Sequence, residues 1–140
     1  MRRRSEQGGR PWLATAVAGA VVVVLGLATA RLGSGGTADA LGDALYAALV
    51  LLLVALAAPR WPRAVRAGVA VALCWAVELL QLTGVPAAAS SAWPPLRYLL
   101  GTTFVATDLL WYAVGVLVAS CGTALASRVD AGRRPAVVRG

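Results

Sequence analysis

Histidine and lysine are absent from this chain, and cysteine occurs only twice, at Cys74 and Cys121. Without an imidazole there is no histidine general base and no histidine metal ligand. The two cysteines stand alone inside apolar runs, without ligand spacing, and read as small packing residues. No nucleophile motif, glycine-rich phosphate loop or metal fingerprint occurs, so no catalytic residue, cofactor or metal is expected. Charge is scarce as well: 14% of the 140 residues are charged against 59% apolar, with a mean hydropathy of +0.75. A soluble domain of this size could not enclose so much apolar surface in one core, so lipid must solvate much of it.

The composition that remains is an all-α membrane protein, a four-transmembrane-helix bundle in a single domain. Four stretches are long and apolar enough to cross a hydrocarbon layer about 30 Å thick: Trp12 to Ala30, Ala40 to Ala58, Ala64 to Thr83 and Asp108 to Ala126. The net charge of +7 would suit nucleic acid if it formed one basic face, but the arginines sit at the ends of hydrophobic runs. Arg2, Arg3, Arg4, Arg10, Arg60, Arg63, Arg66, Arg128, Arg133, Arg134 and Arg139 fall on one side of the membrane, Arg31 and Arg97 on the other. The positive-inside rule then makes both termini cytoplasmic, in a multi-pass protein of a bacterial cytoplasmic (inner) membrane. The partners expected are the bilayer and anionic lipid headgroups at the cytoplasmic arginines, with no nucleic acid. Trp12, Trp61 and Trp93 near span ends fit an interface belt. A cleaved signal is the rival reading of the first span, from Arg2 to Arg4 and Ala28-Thr29-Ala30, but the apolar run exceeds the usual signal core.

The segment from Gly84 to Thr107 is too apolar for a solvated linker, and is expected to lie on or dip into the outer interface. Near the same face the sequence gathers its unusual polar residues. Asp43 is about one turn into the second span, with Asp39 as a candidate cap, Glu78 lies about one and a half turns from the end of the third, and Asp108 opens the fourth. Asp43 and Asp108 also suit a helix N-terminus, where the dipole favours a carboxylate. Glu78 has no such explanation, because it lies toward the negative end of its helix and inside the apolar layer. It must be paired, hydrogen-bonded or protonated; Gln81 at i+3 can reach it, and Arg31 and Arg97 are the cations on its side. In the fourth span Asp108, Tyr112, Gly115, Ala119 and Gly122 form one stripe, expected to face the bundle interior. Asp39, Asp43 and Tyr46 form a matching edge in the second.

The order Gly42-Asp43-Ala44-Leu45-Tyr46-Ala47, Glu78-Leu79-Leu80-Gln81, Leu100-Gly101-Thr102-Thr103-Phe104 and Asp108-Leu109-Leu110-Trp111-Tyr112-Ala113-Val114-Gly115 resembles the small bacterial membrane proteins catalogued as domain of unknown function 2809. Glu78 and Gln81 followed by Asp108, Tyr112 and Gly115 are similar, more remotely, to VanZ-like membrane proteins, although an asparagine is usual there at the place of Tyr112. That second resemblance implies a role in the cell envelope.

Three functions fit these residues. The first is binding of a polar, lipid-linked envelope ligand or a cation, by Asp43, Tyr46, Glu78, Gln81, Asp108 and Tyr112 with Arg31 and Arg97. The second is a structural or accessory subunit of a membrane complex, with a membrane protein partner. The third is a membrane-embedded enzyme acting on a lipid-linked substrate through paired carboxyls. Reporter fusions at Gly35 and Ser90 should signal from the outer compartment and one at Arg63 from the cytoplasm; a cytoplasmic signal at Ser90 would dismantle the outer cluster.

Overall fold

A computed structural model describes residues 11–101 and 103–132, and among them all regular structure is helical. Helix α1 (Pro11–Leu32) begins on a proline, whose missing N–H costs nothing in a first turn, and is apolar on every side. A short turn leads to α2 (Gly36–Ala57), and the Pro59 to Pro62 corner to α3 (Arg63–Gln81). The chain then forms α4 (Val85–Ala92), a 3₁₀ turn (Pro94–Leu96) and α5 (Arg97–Leu100) before α6 (Asp108–Gly132). Four of these helices, of 21, 22, 19 and 22 residues in their apolar portions, are long and apolar enough to cross a membrane. A 22-residue helix is about 33 Å long at 1.5 Å per residue, close to the hydrocarbon thickness.

Packing centres on α2, which lies against α1, α3 and α6, while α3 also meets α6. Helix α1 packs closely against α2 alone. The core of α2, α3 and α6 is small: Ala47, Leu51, Ala70, Cys74, Tyr112 and Val116. Large apolar side chains such as Leu25, Leu53, Leu73, Leu110 and Leu117 instead point outward, the distribution a lipid solvent permits and water penalises. Cys74 is a buried packing residue as expected, whereas Cys121 is exposed.

Most bounds agree with those read in the sequence to within two residues, and three differences are larger. Helix α2 starts four residues earlier than Ala40, because Gly36 to Asp39 complete a first turn; Gly35 is its N-cap, so Asp39 is a first-turn acid and no cap. Helix α6 runs on to Gly132. The long connection is no open loop: prolines and glycines divide it into short helical pieces that fold back on the end of α3.

The stripe expected along α6 faces inward through Tyr112, Gly115 and Ala119, but Gly122 is exposed with open space before it. At Gly115, α6 comes close against the backbone of α2. A methyl group there would stand 2.7 Å from the Ala44 Cα and 2.8 Å from its carbonyl carbon, both backbone atoms that cannot turn aside. Gly115→Ala should therefore force α2 and α6 apart and destabilise the protein by about 1–3 kcal/mol, read as a lower Tm in detergent, whereas Gly122→Ala should leave Tm unchanged.

Candidate functional site

The C-terminal end of α3 and the N-terminal turns of α2 and α6 lie together, and the polar residues singled out in the sequence collect there. Glu78 is the best protected, with 0% of its surface exposed. Its Oε1 accepts the Val105 backbone N–H at 2.7 Å. Its Oε2 accepts the Tyr112 hydroxyl at 3.0 Å and the Gln81 side-chain amide at 3.2 Å. Those three donors come from the long connection, from α6 and from α3 itself, so one carboxyl ties three pieces of chain.

No arginine of the described residues is paired with it, which corrects the expectation of Arg31 or Arg97 as partner. The physical reason is desolvation: a guanidinium drawn to the carboxyl would lose its own water, whereas neutral donors already on adjacent elements satisfy the oxygens without burying a second charge. Arg31 and Arg97 are both exposed. Arg97 Nη2 donates to the Tyr98 hydroxyl at 2.9 Å, with the guanidinium carbon 4.9 Å from that ring's centre. That hydrogen bond, with the charges of Arg97 and Arg31, holds the exposed Tyr98 phenol below its usual pKa.

Gln81 uses both amide hydrogens, one toward Glu78 and one to the Leu100 carbonyl at 2.8 Å. That carbonyl is left over at the end of α5, where the helix has no partner for it. The following Gly101 is required twice: its φ is +63°, and a Cβ would run into the Gln81 amide. The Gln81 Oε1 is buried and has no hydrogen-bond partner. An orphaned buried acceptor of this kind costs about 1–3 kcal/mol unless something supplies a donor.

Asp43 and Asp108 are partly buried and face one another across α2 and α6. Both carboxyls border one cavity, an arrangement that favours a cation or a donor-rich group between them. Tyr46 and Tyr112 sit beneath them with ring centres 6.0 Å apart at 57°, a tilted aromatic contact. Asp39 stays exposed.

Two cavities open around this cluster. A polar one of about 570 Å³ is bordered by Asp39, Asp43, Thr107 and Asp108. A mainly apolar one of about 280 Å³ runs between α1, α2 and the α5 segment, bordered by Val22, Leu27, Leu49, Leu99 and Gln81. Asp43 and Arg97 border both.

The structure thus brings Asp43, Tyr46, Glu78, Gln81, Asp108 and Tyr112 together and leaves Arg31 and Arg97 at the rim. Val105 and Leu100 act through backbone groups, which leave no side-chain signature to read. Gly101 stood within a quoted motif, but its contact with Gln81 depends on how the connection folds back.

An α-helical protein with four helices fit to cross a membrane, closed around a buried acid, is the class that this architecture defines. The profile of the family described as protein of unknown function, DUF2809, matches residues 33–116, and the chain belongs to that family. The match runs from the turn before α2 to the middle of α6, and so contains the whole Glu78 network. Comparison with curated proteins and with solved structures gives no match.

Tyr112→Phe removes one of the three donors to Glu78 with little change of shape. It should lower stability by about 1–3 kcal/mol, measured as Tm in detergent, and Gly101→Ala should also lower it through the strained φ and the displaced Gln81.

Proposed function

We propose that this chain is a multi-pass protein of a bacterial cytoplasmic membrane, both termini inside, that binds an amphipathic, lipid-linked envelope ligand from the outer leaflet. The observation that carries the reading is the meeting of a polar and an apolar cavity at Asp43 and Arg97. An amphiphile has the same division. Its head, bearing amine or hydroxyl groups, would lie between Asp43 and Asp108, which need donors or a positive charge. Its chain would enter the lateral groove beside α1, and a phosphoryl link between them would pass Arg97, whose planar fork suits phosphate oxygens. Gln81 Oε1 would accept from a donor on the ligand. The arginine distribution supports the orientation, since it puts this end of the bundle outside.

Glu78 has a different part in this reading. Its three accepted hydrogen bonds make it a positioning residue that holds the connection and α6, and with them the walls of both cavities. The same network favours the second reading, a structural subunit, to the extent that a protein without Asp43 and Asp108 keeps every property.

The test uses a fluorescent long-chain alkyl aminosugar and purified protein in nanodiscs. Asp43→Asn and Asp108→Asn together should weaken its binding by about tenfold or more, the scale of lost charge-assisted hydrogen bonds, with Tm unchanged. Equal binding by wild type and variant would sink the ligand reading and leave the structural one.

A further inference from the structure

The opposite end of the bundle holds a second site. Helices α1, α2, α3 and α6 converge there on a cavity of about 150 Å³ bordered by Thr15, Arg63, Arg66, Ser120 and Thr123, with Leu51, Leu52 and Ala55 as its apolar wall. We propose that this cavity binds a phosphoryl group, carried by an anionic phospholipid headgroup or free in solution.

Three observations support it. The Arg66 Nε is buried and has no hydrogen-bond partner, so one N–H of a permanently charged group stands desolvated and unused. Such a group is costly until an anion supplies acceptor oxygens. Arg63 Nη2 is anchored to the Ser127 hydroxyl at 2.7 Å, a neutral partner that positions the guanidinium without cancelling its charge. Finally, both arginines occupy the first turn of α3 (Arg63–Gln81), where the helix dipole adds positive potential to theirs.

Among the described side chains the carboxylates are Asp39, Asp43, Glu78 and Asp108, and all lie at the far end of the spans. Two guanidinium forks, with the Ser120 hydroxyl beside them, provide the donors that a tetrahedral phosphoryl group takes. The adjoining leucines give a lipid's glycerol and first methylenes an apolar surface. A general basic belt would only hold such lipids loosely at exposed arginines; this cavity is lined by residues of four helices and built from particular side chains.

Purified protein in neutral detergent can be titrated with phosphatidylglycerol, phosphatidylcholine or inorganic phosphate, with native mass spectrometry reading retained lipid and a thermal shift reading phosphate. Wild type should retain phosphatidylglycerol at least about tenfold better than phosphatidylcholine, and Arg66→Gln should remove most of that preference. Arg60→Gln, exposed and outside the cavity, should keep it. If inorganic phosphate alone gives a shift that Arg66→Gln abolishes, the phosphoryl site stands and its source is the free anion. Should Arg66→Gln fail to fold, Ser120→Val with Thr123→Val must weaken binding several-fold. Equal retention of both lipids with no phosphate response overturns the proposal. Undiminished binding by the cavity variants, or equal loss in Arg60→Gln, overturns it too.

Discussion

The fold turns on the buried carboxyl of Glu78. A carboxyl enclosed in an apolar layer is tolerable only if its oxygens are satisfied, and the donors that do this come from Gln81, Tyr112 and the Val105 backbone. Meeting that demand sets the register of α3 against α6 and pins the end of the connection just before α6 begins. Gln81 extends the same tie to the last carbonyl of α5, and Gly101 leaves the room it needs. Trp75 adds a bond from its indole to the Leu109 carbonyl at 3.0 Å, so the α3–α6 contact is held by polar contacts as well as by packing.

Around this tie the usual distribution of residues is reversed. The interior holds a carboxyl, an amide and a phenol beside alanines, Leu51, Leu52 and Val116, and most of the long aliphatic side chains face outward. Helix association in such a setting gains little from apolar burial, because lipid tails are as apolar as leucine. Close approach and buried hydrogen bonds then matter more. Gly115 against Ala44 supplies the first, and the Glu78 network supplies the second.

The described carboxylate side chains gather at one end of the bundle. The described carboxylates lie where α2 and α6 begin and α3 ends, and the Arg63–Arg66 pair where α3 begins. Each end also keeps a polar atom buried and unpartnered, Gln81 Oε1 at one and Arg66 Nε at the other. An acceptor lacks a donor at the acidic end and a donor lacks an acceptor at the basic end, so the two sites call for ligands of opposite character.

Much of this was legible in the residues themselves. Four apolar runs of spanning length, the collection of Asp43, Glu78 and Asp108 at one level, and the inward stripe of Tyr112, Gly115 and Ala119 follow from hydropathy and helical spacing, since both act locally along the chain. The identity of Glu78's partners did not follow. Charge alone pointed to Arg31 and Arg97, but pairing inside a membrane is decided by which donors arrive without a desolvation cost, and that depends on the connection folding back to present Val105 and Leu100. Likewise Gly122 belongs to the stripe by spacing yet faces open space, because at that depth α6 turns Ser120, Thr123 and Ser127 toward its neighbours instead. The sequence by itself determined the solvent, the number of helices long enough to span and the level of the acids. Only the tertiary structure decided who satisfies Glu78 and where the cavities open, because backbone donors and the spaces between helices have no residue type to announce them.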